Sequence, residues 1–432
     1  MTPPERRFRV DRGRLALIVS ILLVVGACAS PAPTNPPTAA PSPTMVPTSQ
    51  STATASPVTS VAPSPTPTSA TPTPTPRPTS TVLASCAQKV LDGMTLDQRV
   101  GQLFSLGLVN DRLGSGELSA ITNDHVGAFW FTATTTAGTA AIRAVSDAIQ
   151  AQATKAATAG VGMFVAANQE GGQVQALRGS GFTLMPSAVV QGTWSIARLS
   201  ASAQLWGNQL AAAGVNLDFA PVADVVPPGT DATNQPIGVL DREYGHDPAR
   251  AGGHAAAFIA GMTAAGIATT AKHFPGLGRV VNNTDYSAGV VDTVTTATDP
   301  YLGSFESTIT AGVPFVMIAL ATYTQIDPDH LAAFSPAVIK TLLRGKLGFR
   351  GVVVSDSLTA AAVSAIPPGQ RAIDFLLAGG DVVVARNSPD ALAMVAAVRA
   401  RAASDSAFAT TVRNAALLVL QAKGAAGLLP GC

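Results

Sequence analysis

Charge is scarce in this sequence. Aspartate, glutamate, lysine and arginine make up 12% of the 432 residues and nearly cancel, leaving +1 at pH 7. A nucleic-acid binder needs a basic face, so this balance argues against such a partner. The three cysteines, Cys28, Cys86 and Cys432, are too far apart for a CxxC metal or redox pair. The five histidines, His125, His246, His254, His273 and His330, are scattered without an HxH or HExxH arrangement. A clustered metal site is therefore not expected. No GxSxG elbow is present, which argues against a serine hydrolase. No GxGxxG or Walker loop follows any candidate strand, so neither a dinucleotide nor a nucleotide phosphate is implied. No cofactor is expected, and chemistry by paired carboxylates remains.

The N-terminus reads as a targeting segment. Arg6, Arg7, Arg9, Arg12 and Arg14 precede an apolar run from Leu15 to Val25 that is short for a membrane span. Val25-Gly26-Ala27-Cys28 closes it, and small residues before a lone cysteine resemble a bacterial lipobox. Residues 1–27 are thus expected to be a lipoprotein signal peptide, with Cys28 the lipid-modified first residue, anchored to the outer face of the cell membrane. Residues 28–82 are almost wholly Pro, Thr, Ser and Ala. Such a segment buries no core and favours extended polyproline II, a tether on the order of 150 Å long at about 3.1 Å per residue. With Cys28 lipidated, Cys86 and Cys432 are left at the two ends of the folded region. Outside the cytoplasm such a pair is expected to oxidise to a disulfide; two separate thiols are the other reading.

From residue 83 to 432 the texture changes. Eight apolar runs read as strands: Val100–Leu108, Val126–Phe131, Gly162–Ala167, Val215–Ala220, Gly266–Thr270, Pro314–Leu320, Gly351–Val354 and Asp381–Ala385. Helix-like stretches lie between them, among them Thr139–Ala157, Ser195–Ala213, Pro248–Ala265, Pro336–Leu347 and Gln370–Ala378, and a last one covers Ala407–Lys423. Alternating strand and helix implies a parallel sheet. Eight units in this length predict an α/β fold, a single (β/α)8 barrel of the TIM type, with an open doubly wound sheet as the alternative.

In such a barrel the chemistry lies at the C-terminal strand ends. The stretch Ala271–Asp285, AKHFPGLGRVVNNTD, is the centre of that rim. An apolar run leads into Lys272 and His273, and Pro275, Gly276 and Gly278 then stop regular structure. Other strand ends supply Asn168-Gln169-Glu170, Asp224 and Ser355-Asp356-Ser357, and an inserted loop supplies Asp241-Arg242-Glu243. Carboxylates, amides and cations converge, which points to a small polyhydroxylated or charged substrate. Asp356 also has a plain structural reading, as the N-cap of a helix beginning Ser357-Leu358-Thr359-Ala360. His125, ahead of a strand, reads as structural; His254 and His330 read as packing or surface residues.

These residues resemble those of the glycoside hydrolase family 3 β-N-acetylglucosaminidases of bacteria, of the single-barrel kind acting on peptidoglycan fragments. The markers are Gln169-Glu170-Gly171-Gly172, Phe219-Ala220-Pro221-Val222 with Asp224, Arg242 within Asp241–Pro248, Lys272-His273-Phe274-Pro275-Gly276 and Val354-Ser355-Asp356. The resemblance implies a β-hexosaminidase in which Asp356 is the nucleophile of a retaining mechanism. It implies that Arg242, Lys272, His273, Asn168 and Asp224 bind the sugar, Asp224 having a structural role as its alternative.

The sequence also departs from that pattern. The family's acid/base is a His on the loop after KHFPG, paired with an Asp two residues earlier. Those positions are Asp285 and Asn283 here, and Asp285 is the candidate acid/base. The Asp before QEGG is Asn168, and a sugar-binding Arg is Ala176, with Arg178 close by. Wider relatives take the acid/base from a second α/β domain; here only a helix follows the eighth unit, so the acid is expected from the barrel itself. Three readings follow: an exo-β-N-acetylglucosaminidase trimming cell-wall fragments, a catalytically impaired sugar-binding lipoprotein, or an enzyme of altered specificity such as a β-glucosidase or phosphorylase. The partners expected are a small carbohydrate and, through the lipid, a membrane; the protein is expected to be monomeric.

Overall fold

The computed structural model describes residues 80–431, residue 387 excepted. The signal peptide, Cys28, nearly all of the Pro/Thr-rich linker and Cys432 lie outside the described residues. Helix is already present at Ser80–Gly93, slightly ahead of the expected start of the folded region. Cys86, on that helix, is disulfide-bonded. Among the described residues no helix is long and apolar enough to cross a membrane.

Eight parallel strands form the core. We label them β1 (Phe104–Leu108), β2 (Ala128–Phe131), β3 (Phe164–Ala167), β4 (Leu217–Asp218), β5 (Ala268–Phe274), β6 (Phe315–Ile318), β7 (Val352–Ser355) and β8 (Val383–Arg386). Neighbours in sequence are neighbours in the sheet, and β1 pairs with β8. A parallel bridge between Val354 and Val382, with Ser355 N–H donating to Val382 O at 3.0 Å, joins β7 to the lead-in of β8 and closes the ring. The strands are almost entirely buried, as near-continuous Val, Ile, Phe and Ala runs require when helices cover the outside. Aromatic edges fill the interior, with Phe164 against Phe315 at 5.4 Å and Trp130 against Phe219 at 6.2 Å.

The floor of the barrel carries an unexpected group. Helix Ser406–Ala425 packs against Ser80–Gly93 and brings Lys423 under the strands. Its ammonium is fully buried and donates to Gln102 Oε1 at 2.6 Å and Gly127 O at 2.8 Å. Burial pushes its pKa down from 10.5 to about 7.

Several expected boundaries shift for physical reasons. Val100 belongs to the short helix Leu96–Gly101, which Thr95 and Gln98 close as a reciprocal capping box, so β1 starts only at Phe104. The long helix expected over Thr139–Ala157 is two, Gly138–Gln150 and Lys155–Thr158, the second capped by Thr154. Residues Ala337–Lys346 wind as a π-helix. Strand β5 does not stop at Thr270; it runs through Lys272 and His273 to Phe274, with a register shift against β6. No helix begins at Ser357; a single 3-10 turn follows only at Ala361–Val363. Leu358 N–H donates to Val384 O and Ala361 N–H to Asp285 O, so those donors serve the neighbouring strand and loop, and the next α-helix is Pro368–Ala378. The N-cap reading of Asp356 is thereby corrected.

Candidate active site

The C-terminal rim encloses a cavity of about 450 Å³, within the roughly 300–1,000 Å³ usual for small-molecule sites. Asn168, Arg242, Lys272, His273, Asp285 and Asp356 all line it. Five of these six sit at strand ends or in the loop after β5, and Arg242 reaches in from the long loop after β4. Among the described residues no group of three or more His, Cys, Asp or Glu is arranged to hold a metal.

Glu170, just past the end of β3, holds the two cations in place. Its carboxylate takes a bidentate pair from Arg242, Nε to Oε2 and Nη2 to Oε1, both at 2.8 Å, and pairs with Lys272 Nζ. Lys272 Nζ also donates to Asn168 Oδ1 at 2.7 Å. Burial alone would raise the Glu170 pKa, but the Arg242 and Lys272 charges outweigh it and hold the carboxyl at about 2. Arg242 is further tied to Pro236 O at 2.7 Å. The QEGG motif marked this region, but the clamp itself joins residues 72 apart in sequence and is visible only in the fold.

Asp224 does not line the cavity and is withdrawn beneath it. Fully buried, it accepts from His273 Nδ1 at 2.7 Å, from His273 N–H at 3.2 Å and from Leu277 N–H at 2.7 Å. An accepting carboxylate places the proton on Nδ1 and leaves Nε2 as the ring's other polar atom. These contacts set the imidazole and the KHFPG turn, the structural alternative given for Asp224. Gly278 belongs to the same turn, and a Cβ there would run into the Val225 carbonyl. Asn234, which sequence reasoning passed over, staples the two long loops. Its amide donates to Leu277 O and Val280 O at 2.8 and 2.7 Å and accepts from Gly238 N–H at 2.8 Å. An Asn among loop residues carries no period or motif to flag it.

The two carboxylates assigned to chemistry lie on adjoining loops. Asp356 follows β7, and its N–H donates to Ile318 O at 3.0 Å while Oδ1 accepts from Ser357 N–H at 2.7 Å. The loop carrying Asp285 docks on the segment beyond Asp356, with Ala361 and Ala362 N–H donating to Asp285 O and Thr284 O at 3.2 and 3.1 Å. Asn283 Oδ1 accepts the Asp285 N–H at 2.9 Å and so shapes the backbone there. Asp285 stands at the cavity mouth, exposed as a residue but with its carboxyl crowded by surrounding protein. Its pKa is raised, first by burial of the carboxyl and then by the Asp356 charge, against weaker opposing pulls from His273, Arg242 and Arg386. Two acids lining one cavity, one of them with its pKa raised, suit acid/base-assisted glycoside cleavage.

Ala176 lines the cavity, but Arg178 does not replace the missing guanidinium. Its Nε and Nη2 donate to Gln175 O and Gly172 O at 3.1 Å each, bracing the loop. His125 caps a helix end and contacts Ala157 O, His254 bridges Arg250 O and Trp194 O, and His330 pairs with Asp327 at the surface. None of these three lines the cavity.

An eight-stranded α/β barrel with two carboxylates and clamped cations lining one cavity at its C-terminal mouth has the make-up of a carbohydrate-cleaving enzyme. The family model described as the glycosyl hydrolase family 3 N-terminal domain matches residues 95–416. A beta-hexosaminidase of Xanthomonas campestris pv. campestris is 31% identical over 341 residues, covering 75% of this chain and 94% of the relative. One from Stenotrophomonas maltophilia is 34% identical over 281 residues, 61% of this chain and 76% of the relative. The crystal structure of a beta-N-acetylhexosaminidase from Beutenbergia cavernae superposes with a TM-score of 0.75 at 49% identity, over 77% of this chain and 99% of that one. The chain belongs to glycosyl hydrolase family 3 and is a glycosyl hydrolase.

Proposed function

We propose that the protein is a retaining exo-β-N-acetylglucosaminidase that removes terminal N-acetylglucosamine from cell-wall glycan fragments. The observation that carries this reading is that Asp356 and Asp285 line one cavity, the charge of the first raising the pKa of the second, beside the Glu170-clamped Arg242 and Lys272. The names of the Xanthomonas, Stenotrophomonas and Beutenbergia relatives support the choice of sugar. We further propose that the protein acts outside the cytoplasm, held to the membrane through a lipid on Cys28, as the order of basic, apolar and small residues before that cysteine supports.

In the first step an Asp356 carboxylate oxygen bonds to the anomeric carbon. The bond from that carbon to the glycosidic oxygen breaks, its electron pair stays on the oxygen, and protonated Asp285 supplies the proton. In the second step Asp285, now a carboxylate, takes a proton from water. The resulting oxygen attacks the anomeric carbon, and the ester bond to Asp356 breaks, restoring both groups. Burial and the Asp356 charge both favour the protonated form of Asp285 that the first step needs. His273 and the clamped cations grip hydroxyls that move as the ring flattens.

The test is a comparison of leaving groups. A 4-nitrophenyl N-acetyl-β-glucosaminide needs little acid help, whereas a β-linked disaccharide needs much. Asp285→Ala is expected to lose at least about 100-fold more kcat/KM on the disaccharide than on first-step cleavage of the aryl glycoside, in line with the usual contribution of a general acid. Asp356→Asn is expected to abolish both. Equal losses in Asp285→Ala would remove Asp285 from the acid role.

A further inference from the structure

We propose that the floor of the barrel is a binding site for one monatomic anion, chloride, held by Lys423, Gln102 and Ser105. The site lies at the opposite end of the barrel from the catalytic rim and does not depend on the reaction assigned there.

Three elements converge on it. Lys423 comes from the last helix, Gln102 caps the end of Leu96–Gly101, and Ser105 sits on β1 in register with Ala128 and Val384. Together they line a cavity of about 10 Å³, close to the least that admits one atom of water's size. All three side chains are at most 2% exposed. The remaining lining is aliphatic and aromatic, and Lys423 is its only titratable group.

The polar groups left open there are donors. An ammonium has three N–H groups, and Lys423 uses two, on Gln102 Oε1 and Gly127 O. Gly127 O also accepts from Phe164 N–H at 3.3 Å. Because Gln102 Oε1 faces the ammonium, the amide has one orientation; flipped, it would set N–H against N–H. Its Nε2 then has no partner among the described residues, and neither has Ser105 Oγ. Glycine at position 127 permits this approach, since a Cβ there would crowd the Gln102 amide at 2.8–2.9 Å.

The charge also stands alone. Burial drives the Lys423 pKa down to about 7, and no neighbouring carboxylate opposes it. A water molecule accepts from these donors but leaves the buried charge uncompensated. A halide accepts from all three and neutralises it. The size of the cavity excludes carboxylate, phosphate and sulfate. Chloride bound here holds the charged form to higher pH, so it flattens the rise of stability with pH that the anion-free protein shows.

The test compares the wild type with Lys423→Met, which keeps the side chain's length without its charge. The intact protein, its disulfide kept, is unfolded and refolded at pH 6 in sodium gluconate or sodium chloride of equal ionic strength, so that no anion is carried over. The variant carries the general effect of each salt. The wild type is expected to gain about 2 °C in Tm over the variant at a chloride concentration ten times the midpoint of the effect. Ser105→Ala is expected to need about 10-fold more chloride for the same gain. A wild-type crystal grown in chloride, measured at long wavelength, should show the anomalous signal of chlorine between the three side chains. Equal salt responses in the wild type and Lys423→Met overturn the site, and so does density there without an anomalous signal, which marks a water only. Should Lys423→Met fail to fold, Ser105→Ala takes its place, and a chloride midpoint equal to that of the wild type overturns the site.

Discussion

Replacing Glu170 by glutamine should cost this protein both stability and turnover, and the size of the effect follows from the clamp. The Glu170 carboxylate is buried, held at about 2 instead of 4.5 by the charges of Arg242 and Lys272. That difference, at about 1.36 kcal/mol for each tenfold change, is worth roughly 3 kcal/mol. Because the folded value lies below the unfolded one, this contribution is fully present above pH 4.5 and is lost as pH falls toward 2. Glutamine has nearly the same shape, but its amide NH₂ faces a cation and leaves two buried charges without a counter-ion. Breaking a buried pair in this way costs about 3–5 kcal/mol. For a folded region of about 350 residues, a melting entropy of about 2.1 cal/mol/K per residue converts that to about 4–7 °C in Tm. Thermal melts of wild type and Glu170→Gln at pH 7 and pH 3 measure it. The gap is expected to narrow by about 2 kcal/mol at pH 3, where the unfolded wild-type glutamate takes up a proton and the folded one does not. Turnover of the aryl glycoside is expected to fall about 100-fold as Arg242 and Lys272 relax. A variant with wild-type Tm and unchanged kcat/KM would refute the clamp as a structural and functional unit.

Other perturbations probe separate parts of the account. Lys423 is buried with its pKa pushed down to about 7, so the folded state binds fewer protons than the unfolded between pH 7 and 10.5. Stability should therefore rise with pH across that window, by up to about 5 kcal/mol. Lys423→Met should flatten that slope in denaturant titrations, and it should be the more stable form at pH 7 by about 2 kcal/mol after roughly 1–3 kcal/mol is lost from the unpaired Gln102 and Gly127 oxygens. Asp224→Asn should leave the circular dichroism spectrum intact and lower kcat/KM about 10- to 100-fold, because the amide cannot accept from His273 Nδ1, His273 N–H and Leu277 N–H as the carboxylate does. With Asp285 as the acid, the alkaline limb of kcat/KM on disaccharides should lie above an ordinary aspartate value. Removal of the Arg386 charge should move that limb to still higher pH, since Arg386 lowers the Asp285 pKa.

The barrel was legible because each buried strand lies within or beside a short apolar run, and that signal is local. The strand-end residues were legible for the same reason: Lys272, His273 and Asp356 each follow directly on such a run or extend it. What sequence could not show depends on contacts between distant segments. Glu170 meets Arg242 across 72 residues and Lys423 meets Gln102 across 321, with no pattern in either segment to announce the partner. Sequence left two roles open for Asp224 because its burial is set by how the loop after β4 folds onto the β5 turn, through Asn234. The expected helix after Asp356 failed because helical propensity in Ser357–Ala360 is weaker than the pull of the neighbouring backbone acceptors, Val384 O and Asp285 O.

The most direct test of the central claim is to trap the covalent intermediate. A 5-fluoro N-acetylglucosaminyl fluoride, whose ring fluorine slows the second step, should add one glycosyl unit to the protein by intact mass. Peptide mapping should place it on Asp356, with the adduct absent from Asp356→Asn. A label on any other side chain, or an unchanged adduct in Asp356→Asn, would contradict the account.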